Sequence, residues 1–241
     1  MKKNLCIIPV WNERTYLLKL LKNIQKFKSK YKIDFLFINN GSTDSSDKMI
    51  KSFNFKIHSF KKNKGVGYAL LWGLKYANKK KYNVIINLAG NNKMKPNEID
   101  RFLDKIYLNN FDYVNGSRYK AGAVNKNLPF MRNFSIYYYS LIINFLYQSN
   151  ITDSTCGFRA YKVKKFKKII NILSFKNYFT YGYEYAFYGF VLKYKNIIKS
   201  IEVPVSMIYN KNTKHSKIKI KDWFTILFYW LLPYFKNEKI F

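Results

Sequence analysis

Asn39, Asn40, Gly41, Ser42, Thr43 and Asp44 form a compact polar stretch directly after the apolar run at residues 33–38. Backbone amides, two hydroxyls and a carboxylate are groups that grip a phosphate or a sugar hydroxyl, and Gly41 lets the chain turn tightly among them. The same residues also make an ordinary capped turn, with Ser42, Thr43 or Asp44 capping the next helix. Asn12 and Glu13, which follow an earlier apolar run in Pro-Val-Trp-Asn-Glu, read in the same two ways. His58, in a strand-like run, and His215, in a lysine-rich loop that could fold over a ligand, stand too isolated for a relay or a metal pair. Cys6 and Cys156 offer neither a disulfide framework nor metal-ligand spacing, which fits a reducing cytoplasm.

The elements around these loops alternate. Residues 4–10 are a short buried-strand run, and the stretch after them places Leu17, Leu21, Ile24 and Phe27 on one helical face. The unit recurs from 33–38, 55–60 and 83–88, each run followed by a helical pattern. Four such units predict an α/β fold with a mostly parallel sheet and helices on both faces, in which ligands bind beyond the carboxyl ends of the strands. The 39–44 loop lies at such an end. The chain as a whole is strongly basic: 44 Lys plus Arg against 13 Asp plus Glu give a net charge of +31, which raises nucleic acid or an anionic membrane as a partner. Base-stacking aromatics on a basic sheet and a helix-turn-helix pattern are both missing, so no nucleic-acid partner is expected.

Taken in chain order, Pro-Val-Trp-Asn-Glu (9–13), Asn-Asn-Gly-Ser-Thr-Asp (39–44), the glycine-bearing stretch 62–74, Asn-Gly-Ser-Arg-Tyr (115–119), Ser-Thr-Cys-Gly-Phe-Arg-Ala-Tyr (154–161) and the run 201–209 resemble the family 2 glycosyltransferases of GT-A fold. Order and spacing are similar to the branch that includes dolichol-phosphate and polyprenyl-phosphate sugar synthases. The resemblance covers residues 4 to about 217 and implies a GT-A domain over 1–217, followed by an amphipathic or membrane-associated helix over 218–241. It implies a nucleotide-sugar donor in the first half and an acceptor in the second. By position, Pro9, Asn12 and Glu13 would lie under the nucleotide, Asn39, Asn40, Ser42 and Asp44 near base and ribose, and Gly65 on the donor side.

Two departures bear on that site. The family usually has Asp at position 39 or 40, whereas Asn stands at both and leaves the base unassigned. Where the family closes its fourth strand with Asp-x-Asp, this chain has Ala89, Gly90 and Asn91. A Mg²⁺ or Mn²⁺ site needs hard carboxylate oxygens, and Asn91 alone replaces them poorly, so weak metal dependence is expected. Lys93, or Lys64 ahead of Gly65, can neutralise the leaving diphosphate instead.

The resemblance also implies the reaction, displacement of a nucleoside diphosphate at the anomeric carbon with inversion. An ionised lipid phosphate needs mainly positive charge to place it, whereas a hydroxyl acceptor needs a general base. Arg118, Arg132 and Arg159, three of only five arginines, fall in the acceptor half and suit the phosphate. Asp153 and Glu184 are the candidates for a base, against plainer roles as a turn cap and a lysine partner. Polyprenyl phosphate is the expected acceptor; a hydroxyl of a cell-surface glycan, or an inactive protein that binds sugar nucleotides, is the alternative.

Residues 222–235 are almost continuously apolar and aromatic yet too short to cross a bilayer. With Trp223, Tyr229, Trp230 and Tyr234 they read as an interfacial helix beside lysines that favour anionic lipid, or as a last helix packed on the core. Residues 134–147 are similarly apolar. Together the two segments predict a membrane-facing surface, peripheral on the cytoplasmic face of the plasma membrane.

Overall fold

The computed structural model describes residues 2–172, 182–209 and 220–235. Strands β1 (Asn4–Val10), β2 (Ile33–Asn39), β3 (Lys56–Ser59) and β4 (Val84–Asn87) are each followed by a helix: α1 (Arg14–Lys26), α2 (Ser46–Ser52), α3 (Val66–Lys79) and α4 (Ile99–Tyr107). These are the four units expected from the alternation. The second half continues with β5 (Tyr113–Ser117), β6 (Asn125–Lys126), α5 (Phe130–Tyr147), β7 (Arg159–Lys162), α6 (Lys167–Ile172), α7 (Gly182–Lys193), β8 (Ser200–Pro204), β9 (Met207–Ile208) and α8 (Ile220–Phe235). One seven-stranded sheet runs β3-β2-β1-β4-β7-β5-β8, and β6 pairs with β9 in a small second sheet. All neighbours in the large sheet are parallel except β7, which is antiparallel to both β4 and β5.

The central strands are buried on both faces, which is why they read as unbroken apolar runs. Along β1, Leu5 and Ile7 join one core while Cys6, Ile8 and Val10 join the other. The first core is built largely from aromatic rings in the second half: Tyr161, Phe166, Phe187 and Tyr188 surround Tyr113 at ring separations of 5.1–6.1 Å. Helix α8 closes this core by burying Ile226 and Trp230, and the Tyr147 hydroxyl of α5 donates to the Trp230 carbonyl at 2.7 Å.

The outer faces of the same two helices carry apolar side chains into solvent. On α5 these include Phe130, Phe134, Tyr137, Tyr138, Leu141 and Phe145, repeating at helical spacing. On α8 they are Phe224, Phe228, Tyr234 and Phe235. Among the described residues no helix is long and apolar enough to cross a membrane.

Candidate active site

The carboxyl ends of β1 and β2 hold one interlocked unit. After β1 the chain turns through Asn12, which takes the left-handed conformation (φ 50°). The Asn12 side-chain oxygen accepts from the Thr43 amide at 2.8 Å, and the Asn12 amide donates to the Ser42 hydroxyl at 3.1 Å. Asp44 accepts from the Arg14 amide (2.9 Å) at the start of α1 and from the Ser46 amide and hydroxyl (3.0 and 2.6 Å). Burial alone would raise the Asp44 carboxyl, but these hydrogen bonds hold it below the ordinary carboxylate range.

Asn39 and Asn40 are buried, and their amides join loops to one another. Asn39 accepts from the Ser42 amide (3.0 Å) and donates to the Ser59 hydroxyl (3.4 Å). Asn40 accepts from the Lys64 amide (3.0 Å) and donates to the Asn63 side chain (2.9 Å). An aspartate cannot donate, so the asparagines at the positions where the family usually has Asp have a local reason. Gly41 (φ 71°) is required, because a Cβ there would stand 2.5 Å from the Lys62 carbonyl carbon. Gly65 (φ 86°) opens α3 in a conformation that favours glycine, with its amide on the Asn63 side chain at 2.8 Å.

The turn after β4 packs against the same place. A Cβ on Gly90 would meet the Pro9 carbonyl oxygen at 2.8 Å, so the turn leans directly on β1. Asn91 accepts from the Lys93 amide at 3.3 Å, using its side-chain oxygen within its own turn. Ala89 contributes no ligand atom beyond its backbone. Among the described residues no group of three or more His, Cys, Asp or Glu is placed to hold a metal. The residues at 89–91 therefore do not fit a divalent cation.

Across the sheet, the acceptor half gathers its arginines differently from the expectation. Arg118 and Asp153, both expected at the acceptor, are one another's partner: Nε and Nη2 of Arg118 donate to the two Asp153 carboxylate oxygens, both at 2.7 Å. Their side chains are 1% and 0% exposed. Burial acts to lower the Arg118 pKa and Asp153 more than restores it. A carboxylate held by a buried guanidinium fork is placed to fix the 152–155 turn, and the Thr155 amide also donates to it at 3.2 Å. Glu202 supports that turn from β8 by accepting from the Thr152 amide and hydroxyl at 2.8 and 2.7 Å. Arg159 is buried as well, donating to the Cys156 and Glu184 carbonyls at 2.7 and 2.6 Å beneath the ring of Tyr188.

Glu184 and Arg132 are half-buried. Burial pushes the Glu184 carboxyl above the usual range while Arg159 pulls it down. Arg132, in the first turn of α5, lies over the Tyr209 ring at 5.6 Å, and its Nε is buried without a hydrogen-bond partner among the described residues. Lys93 reaches the same ring at 4.9 Å, and the Tyr209 hydroxyl accepts from Arg118 Nη1 at 2.8 Å. Sequence alone does not single out Tyr209; its one signal there is its place at the end of the 201–209 run. Lys64 lies over the rings of Phe60 and Tyr68. His58 stacks on Trp72 at 3.7 Å, and His215 lies outside the described residues.

The sequence profile described as "Glycosyl transferase family 2" matches residues 5–170. The chain belongs to that family. This glycosyltransferase is 27% identical over 244 residues to a UDP-N-acetylglucosamine–dolichyl-phosphate N-acetylglucosaminyltransferase of Methanococcus voltae, covering 94% of this chain and 93% of that one. It is 25% identical over 233 residues to the polyprenol monophosphomannose synthase of Mycolicibacterium smegmatis, covering 92% and 87%. A solved glucosyl-3-phosphoglycerate synthase of Mycobacterium tuberculosis, holding Mn²⁺ and uridine diphosphate, superimposes with a TM-score of 0.71 at 12% identity, over 99% of this chain and 82% of that one. The glycosyltransferase thus has the GT-A fold. Its interlocked β1 and β2 loops and the turn after β4 sit at strand carboxyl ends, where ligands bind in open α/β sheets.

Proposed function

We propose that this glycosyltransferase moves a sugar, with inversion, from a nucleotide-sugar donor to a lipid phosphate, with polyprenyl phosphate as the acceptor class. The observation that carries the reading is the make-up of α5. Its first turn supplies Arg132 beside Tyr209, and its outer face presents Phe134, Tyr138, Leu141 and Phe145 to solvent. One element thus offers a guanidinium for a phosphate and an apolar face for the lipid that carries it. Relatives named for dolichyl phosphate and polyprenol support the same acceptor class. In this reading Pro9, Asn12, Glu13 and the 39–44 loop frame the nucleotide, Ser42 and Asp44 through the interlock they build. The acceptor phosphate attacks the anomeric carbon as an ionised nucleophile, so placement and charge supply the catalysis. Glu184, half-buried with a raised pKa, favours a second reading in which it deprotonates a glycan hydroxyl.

A donor panel incubated with polyprenyl phosphate, followed by mass spectrometry of the lipid fraction, tests the assignment. A lipid-phosphate sugar is the expected product. Transfer only to a soluble glycan would overturn it.

The outer faces of α5 and α8, on a chain of net charge +31, also suit the cytoplasmic face of an anionic membrane. Co-sedimentation with phosphatidylglycerol vesicles is expected, and the double substitution Phe134→Ser and Phe145→Ser should weaken it at least several-fold without shifting Tm. Equal binding by the variant would show that α5 does not touch lipid.

A further inference from the structure

We infer that the donor's diphosphate is held without a divalent cation, by a cationic site gathered on Tyr209 in which Lys93 replaces the metal. This deepens the donor reading above and rests on it. The turn where metal ligands would stand offers Ala89, Gly90 and an Asn91 oxygen already engaged by the Lys93 amide. Two residues further along, the same turn sends the Lys93 ammonium to within 4.9 Å of the Tyr209 ring centroid. A cation therefore stands on this turn, but as a side chain.

Tyr209 is built to hold it. The residue is buried, its amide donates to the Lys126 carbonyl at 3.0 Å, its carbonyl accepts from Asn127 at 3.0 Å, and its hydroxyl is fixed by Arg118. A tyrosine held at its amide, its carbonyl and its hydroxyl offers its ring face to cations. Lys93 and Arg132 both lie near that ring, while the nearest guanidinium, Arg118, is neutralised by Asp153. Arg132 forms no ion pair among the described residues, and its buried Nε is unpartnered there. Concentrated positive charge of this kind is stabilised by a bound anion. A diphosphate leaving toward Lys93 and an acceptor phosphate held by Arg132 would each meet a cation, so two anions can approach one anomeric carbon.

Titration calorimetry of the full chain with uridine diphosphate and guanosine diphosphate, first in EDTA and then with Mg²⁺ or Mn²⁺, tests this. At least one nucleotide is expected to bind in EDTA, with an affinity changed less than about threefold by metal. Lys93→Ala should weaken that binding about tenfold or more, and Lys93→Arg should retain most of it. Binding that appears only with metal, or an unchanged Lys93→Ala affinity in a variant with wild-type circular dichroism, would overturn the inference and leave the glycosyltransferase reading standing. No binding of either nucleotide under any condition, with no turnover of any sugar nucleotide, would remove both.

Discussion

Asp153→Asn is expected to lower stability by about 3–5 kcal/mol, because it leaves Arg118 as a buried guanidinium without its counter-charge. In a chain of this size that corresponds to a fall of roughly 6–20 °C in Tm. Both carboxylate oxygens lie 2.7 Å from Arg118 donors, and the pair is sealed from water, so solvent cannot take over the lost contact. A second variant separates the pair from any role of Asp153 in catalysis. Replacing both partners by apolar residues no larger than the originals, Asp153→Ala with Arg118→Met, removes the unpaired charge and should recover part of the loss. Calorimetric melting of the three proteins decides the matter. An Asp153→Asn protein that melts with the wild type while losing transfer activity would return Asp153 to the chemistry.

The first half was the legible half. Four apolar runs alternating with helical periodicity point to parallel strands because strands buried on both faces must be apolar throughout, as Cys6 and Ile7 illustrate on opposite sides of β1. Periodicity carries no information on strand order, so the antiparallel β7 between β4 and β5 could not be read from Arg159–Lys162 alone. Site residues were legible as types but not as partners. The same spacing that placed Arg118 and Asp153 in one region also allowed them to meet, and only the geometry of the 152–155 turn shows that they do. Asn39 and Asn40 posed the same difficulty. Their amides look suited to a nucleotide, yet one is bonded to the end of β3 and the other to the loop before α3. Tyr209 was hidden for a further reason: a tyrosine ending an apolar run reads as core, and its role emerges from Lys93 and Arg132, which lie 116 and 77 positions away in sequence.

Arg132 and Glu184 carry the choice between the two acceptors, since each is half-buried and neither is committed to the pair that holds Arg118. With a lipid phosphate as nucleophile, Arg132→Ala loses a charge-assisted contact and transfer should fall about 10- to 100-fold, mostly through KM for the lipid. Arg132→Lys should recover only part, because an ammonium cannot reproduce the planar fork. Glu184→Gln should then change kcat by less than about threefold. With a sugar hydroxyl as nucleophile the order inverts, because losing a general base costs on the order of 10² to 10⁴ in rate. The pH dependence separates the cases independently. Burial raises the Glu184 carboxyl above its usual range, so a Glu184 base would be lost as pH falls through that raised value, and the acid limb of kcat would lie above the ordinary carboxylate region. Glu184→Gln would abolish that limb. If it survives in Glu184→Gln and Arg132→Ala remains the more damaged enzyme, the acceptor arrives already ionised, and the lipid phosphate stands as the nucleophile.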